Sequence, residues 1–132
     1  MSSKVKVTMT LNDLETRVRG LQKLSERDLP VKGAYRLGKL LRVMSEELND
    51  SEKVRLQLLQ KYAEKNKDGS LVIEGTKAKI LPKNQAKWNE DWRELVSQEI
   101  TIEALPLNLK DFGNINVSAK ELFLLGDFLL DE

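Results

Sequence analysis

Four sets of residues in this chain have types and spacings that bear on chemistry. Trp88 and Trp92 stand four apart, about one helical turn, and two indoles on one face can stack a nucleobase. The same spacing beside Leu95 and Val96 reads first as an apolar core face. Arg17, Arg19, Lys23, Lys32, Arg36, Lys39 and Arg42 form a basic set able to contact phosphates. Scattered along helices without a zinc finger or an aromatic-basic motif, they read first as a solvated face. Glu90, Asp91 and Glu94, with Glu99 further on, are oxygen donors of the kind that hold Mg²⁺, but no tight acidic loop accompanies them. Ser25, Ser45, Ser51, Ser97 and Ser118 have no histidine to activate them and no nucleophile elbow around them. A Ser–Lys pair is the one serine arrangement left open.

The 132 residues contain no histidine and no cysteine. That removes the commonest general base, the thiol nucleophile, the disulfide and the thiolate metal site. A non-enzyme is expected, with no cofactor and no metal. Charged residues make up 33% and hydrophobic residues 40% of the chain, which suits a globular fold and one domain over 1–132. Nothing resembles a signal peptide, and no apolar run approaches the ~20 residues that span a bilayer. A cytoplasmic protein with no membrane contact is the expectation.

The net charge of +1 hides a split. Residues 1–43 carry ten Lys/Arg against four Asp/Glu, while residues 90–132 carry three against ten. Oppositely charged thirds are expected to attract, within one chain or between chains.

The element that organises the chain is Val31 to Lys65, which reads as one long helix with Leu37, Leu40, Leu41, Met44, Leu48, Leu58 and Tyr62 on its seam. Leu48-Asn-Asp-Ser-Glu52 is its weak point, and continuity is the preferred reading. At ~1.5 Å per residue it spans roughly 50 Å, so part of it must project or meet another chain. Gly33 and Gly38 lower its propensity, and close approach by the preceding helix is the simplest reason for them.

Before it, Lys4 to Thr10 alternates as a strand. Leu11, Leu14, Val18, Leu21 and Leu24 then form a short amphipathic helix capped by Thr10. After it, Leu71–Ile73 and Ala78–Leu81 flank Glu74-Gly75-Thr76 as a hairpin. A third helix, capped by Asn84, runs to about Glu99 and packs antiparallel on the distal half of the long one. Ile100 to Leu105 has strand character, and Leu107 to Asn116 reads as irregular. Ser118-Ala-Lys-Glu121 is a capping box for a last helix that is apolar almost all round through Leu130. The fold class is α+β and mainly helical: a long central helix, three shorter helices, a β-hairpin and short strands.

The order of these features resembles small accessory proteins of tailed phages that infect Gram-positive bacteria. The matching pieces are Leu29 to Leu37, Glu46-Glu-Leu48, Lys61 to Lys65 with Asp68-Gly69, Trp88 to Leu95, Ile100 to Leu109, and Ser118 to Leu125 with the acidic end. These motifs are structural. The resemblance implies a phage origin and carries over no catalytic residue. It leaves open a place in the virion, in DNA metabolism or in counter-defence.

The reading that results is a non-catalytic phage accessory protein that binds, as a homo-oligomer, and inhibits a host factor in counter-defence. Its partner is a host or phage protein. The expected interface is Phe123, Leu124, Phe128 and Leu130 on the last helix. An alternative is a sponge for a nucleotide signal, taking an anionic small molecule at Arg36, Lys39 and Arg42 beside Tyr35. A virion assembly factor or a DNA-binding protein is the further alternative, nucleic acid ranking below protein as partner.

Overall fold

The structure is a computed structural model, and it describes residues 4–130. Asp131 and Glu132, counted in the acidic last third, lie outside the described residues. In chain order the elements are β1 (Val5–Thr10), α1 (Leu11–Ser25), α2 (Val31–Tyr62), β2 (Ile73–Glu74), β3 (Lys77–Ala78), α3 (Gln85–Val96), β4 (Glu99–Ala104), β5 (Leu107–Asn108), α4 (Ala119–Leu125) and β6 (Leu129–Leu130). The fold is α+β and mainly helical. The chain divides into two compact units. The first takes the residues up to Leu48 and those from Glu99 onward, and the second takes Asn49–Gln98. Helix α2 is continuous through Asp50 and contributes its first part to one unit and its second to the other.

In the first unit, β1 and β4 pair antiparallel, with Val7 opposite Ile102. Strand alternation buries Val7, Met9 and Ile102 on one face. Helix α1 starts directly from β1, where the Thr10 hydroxyl accepts from the Asp13 N–H at 3.2 Å. Leu14, Leu21 and Leu24 of α1 are buried with Leu37, Leu40 and Met44 of α2, and with Phe112, Leu125 and Phe128 from the last third.

Both glycines of α2 differ from expectation. A Cβ on Gly33 would lie 2.1 Å from the Asp111 carbonyl oxygen, so the close neighbour is the 3-10 turn Leu109–Phe112 and not α1. Gly38 faces open space. The close approach made by α1 is at Gly20, against Leu124 of α4.

The last third is more ordered than its sequence suggests. Leu107 to Asn116 contains β5 and a 3-10 turn. Helix α4 begins with the expected capping box but ends at Leu125, because Gly126 turns the chain with φ +53°. A 3-10 turn then leads into β6, which pairs parallel with β5.

In the second unit, α2 ends at Tyr62 because Ala63 and Lys65 form antiparallel bridges to Ile80 and Leu71. The hairpin β2–β3 turns at Gly75, whose φ of +64° suits glycine. Asn84 does not cap α3; its side-chain amide donates to the Tyr62 carbonyl at 3.2 Å. Toward the other end of α3, Leu95 and Gln98 share a groove with Val54 and Leu58 of α2. The two helices therefore run in opposite directions along their shared length. The interior here is small, with Leu59, Tyr62 and Ala63 buried. Helix α3 buries no residue, and Trp88 and Trp92 are half-buried instead of core. A unit this short has too little interior to enclose two indoles. Among the described residues, no helix is long and apolar enough to cross a membrane.

Candidate functional site

The basic residues singled out on α2 separate by helix face. Arg36 lies next to the buried Leu37 and is half-buried itself. Its Nη1 donates to the Pro106 carbonyl at 2.9 Å, so it ties α2 to the segment after β4. Tyr35, on the outer face, is 59% exposed, and the Lys39 ammonium sits 5.0 Å from its ring centroid. Arg42 pairs with Glu46, one turn on, at 3.4 Å. Lys39 and Arg42 share a cleft of about 300 Å³ with Lys4, but Glu46 and Glu103 line it too and oppose an anion. The four expected ligand residues are thus not brought to one site.

The expected interface residues also part. Leu124 and Phe128 are buried in the first unit, and Leu130 is half-buried in β6. Phe123 alone of the four stands in water, 80% exposed. Within α4, Glu121, Leu124 and Leu125 share the buried face, and Phe123 lies on the face turned away from it.

A second cleft, of about 370 Å³, runs between α1 and α4 and is lined by Arg19, Lys23, Arg27 and Lys120. Gly20 and Leu124 line it too, and at Gly20 the absent Cβ lets Leu124 approach the α1 backbone. Arg27 is fixed by two acceptors, Glu121 Oε1 at 3.0 Å and the Asn116 carbonyl at 2.5 Å. Arg19 pairs with Glu15. Lys23 and Lys120 form no ion pair among the described residues. Phe123 follows Lys120 by three positions and so neighbours it on the α4 surface.

Glu121 closes the floor of this cleft. Burial by itself would raise its pKa, but hydrogen bonds from Ser118 and the Arg27 charge outweigh burial and hold the carboxyl below its ordinary value. The Arg27–Glu121 pair, with Lys32–Asp111 at 3.8 Å, joins the basic first third to the acidic last third within one chain.

The third cleft, about 370 Å³, belongs to the second unit. Trp88 and Trp92 line it with ring centroids 5.6 Å apart and planes 12° apart. Leu59 and Ile80 are its apolar walls, and Arg55, Thr76 and Lys77 are its polar ones. Sequence reasoning found the indoles and missed Arg55 and Lys77, which come from a different helix and from the hairpin. Glu90 and Glu94 stay apart from this cleft, and Asp91 accepts from the Tyr62 hydroxyl at 2.6 Å. Among the described residues, no three His, Cys, Asp or Glu side chains are grouped to hold a metal ion.

Set against known proteins, the chain matches no family model, no curated protein and no solved structure.

Proposed function

We propose that this protein is non-catalytic and acts by binding another protein through the α1–α4 face. The observation that carries this reading is Phe123. A large aromatic side chain left in water costs hydrophobic free energy that a partner's pocket recovers on binding. Lys120 neighbours it on α4, and Lys120, Lys23 and Arg19 line the α1–α4 cleft, so the complementary partner surface is acidic with an apolar socket.

The resemblance to tailed-phage accessory proteins makes a host factor the natural partner, and occupation of its surface the means of inhibition in counter-defence. Self-association is part of the same reading. Val31 and Tyr35, one turn apart on the outer face of α2, are 87% and 59% exposed and give a second apolar surface for another copy.

Native mass spectrometry of the protein after incubation with host extract tests both parts. The wild type is expected as an oligomer carrying an additional protein mass. Phe123→Ser is expected to keep the oligomer and lose the added mass. A wild-type monomer with nothing bound, or a Phe123→Ser variant that retains its partner, overturns the reading.

A further inference from the structure

We infer that the cleft of the second unit is a nucleotide site, with a base against the tryptophan rings and a phosphate at Lys77 and Arg55. Four features of this cleft converge on that chemistry, and none of them depends on the α1–α4 face.

The first is the tryptophan pair. Trp88 and Trp92 follow each other by one turn of α3, and their near-parallel rings line the same cavity. Both are half-buried, so they present aromatic surface to the cleft and do not merely fill an interior. Every base has a π-face, and an indole in such a position stacks it.

The second is the charge of the lining. Arg55 and Lys77 are its ionisable side chains, and no carboxylate lines the cavity. This separates it from the Lys39–Arg42 cleft, which contains Glu46 and Glu103, and from the α1–α4 cleft, which contains Glu121. Arg55 is held in a two-fold ion pair with Glu52, its Nε donating to one carboxylate oxygen at 2.8 Å and its Nη2 to the other, so Lys77 is the principal cation for a phosphate and Arg55 supports it. Lys77 faces Glu74 in the hairpin register, but Glu74 is engaged by Lys79 at 3.4 Å. The Lys77 ammonium consequently forms no ion pair among the described residues, and a phosphate can take it without breaking one.

The third is the apolar lining of Leu59 and Ile80, which gives a ring hydrophobic surface beside the tryptophans. The fourth is size. About 370 Å³ lies within the range of small-ligand sites, at the end that suits one nucleotide unit. A cationic peptide would meet Arg55 and Lys77 as like charges. A neutral aromatic ligand would leave Lys77 unused.

One chemistry here has two sources, a free nucleotide or one residue of a single strand. The chain has two tryptophans, and both line the cleft, so intrinsic fluorescence reports on its occupancy. The full-length protein is titrated with adenosine, adenosine monophosphate and a short oligoadenylate at ~0.15 M salt. Saturable quenching by the monophosphate, by the oligonucleotide or by both is expected, with adenosine weaker by about tenfold or more. Binding of the monophosphate points to a free nucleotide, and binding of the oligonucleotide alone points to a strand.

Lys77→Glu, an exposed hairpin substitution, is expected to weaken the phosphate-bearing probes by about tenfold at an unchanged melting temperature, and Lys77→Arg is expected to restore them. Trp88→Leu, with Trp92 as the remaining reporter, is expected to weaken all probes by about tenfold. Absence of saturable quenching by both phosphate-bearing probes overturns the inference. So does adenosine binding as tightly as its monophosphate, or a Lys77→Glu variant with wild-type affinity.

Discussion

Gly33 and Asp111 meet backbone to backbone: a Cβ at Gly33 would sit 2.1 Å from the Asp111 carbonyl oxygen. A carbonyl held in a 3-10 turn cannot swing away as a side-chain end can. Alanine at this helical position would ordinarily gain about 1 kcal/mol in propensity. Here the overlap decides the sign, and Gly33→Ala is expected to lose about 1–3 kcal/mol. Gly38, five positions along the same helix with open space around it, is the control. Gly38→Ala is expected to gain about 0.5–1 kcal/mol. Urea unfolding of the two variants, moving in opposite directions, checks both.

The aromatic residues of the last segment should separate in the same way. Phe128 is fully buried and Phe123 is 80% exposed. Phe128→Ala is expected to cost about 3–5 kcal/mol, the range for an aromatic removed from a core. Phe123→Ala is expected to stay within about 0.5 kcal/mol of wild type. Equal destabilisation by the two substitutions would place Phe123 in a packed interface within the chain and remove it as a docking anchor.

Arg36 is predicted to be structural. Its guanidinium donates to the carbonyl of the buried Pro106, and removing the donor leaves that acceptor without it. Arg36→Met is expected to cost about 1–3 kcal/mol. Arg42 pairs one turn along the helix at an exposed position, and Arg42→Met is expected to change stability by less than about 0.5 kcal/mol. Melting temperatures of the two variants give the comparison.

Glu121 gives stability a dependence on acid. Its carboxyl is held below the ordinary value in the folded chain despite its burial, through Ser118 and Arg27. A depressed folded pKa means that the unfolded chain takes up the proton first. The contribution is therefore complete above the unfolded value of about 4.3, and it is lost as pH falls through the lower folded value. Glu121→Gln keeps an acceptor for the Ser118 N–H and removes the titration. The variant is expected to be less stable than wild type at neutral pH, with the gap closing below about pH 4. Denaturation midpoints measured across that range test it; a gap constant with pH would assign the effect to packing alone.

What the sequence determined by itself was local. Alternation at Val5, Val7 and Met9 specified β1, and the Thr10 and Ser118 caps placed the starts of α1 and α4. The period of Leu37, Leu40 and Met44 specified the first part of α2, which runs on through the weak stretch at Asp50. Each of these signals acts within a few residues, through side-chain direction, a hydrogen bond to a nearby N–H, or burial on one face.

Tertiary structure decided what depends on distant partners. Helix α2 stops at Tyr62 and not Lys65 because Ile80 and Leu71 pair with the chain beyond it. Helix α4 stops at Leu125 where Gly126 turns the chain, but the residues beyond it become β6 only because they have a parallel partner in β5, far from it along the chain. Parallel pairing leaves no short-range pattern to read. Whether Trp88 and Trp92 were core or cleft could not follow from their spacing, since that depends on how much interior the second unit has. The cations Arg55 and Lys77 join those rings only when a helix and a hairpin fold against α3. Basic residues that look alike along α2 became a tether at Arg36 and a solvated pair at Arg42 for the same reason. A helix presents each of them in a different direction, and only the neighbours determine which direction is inside.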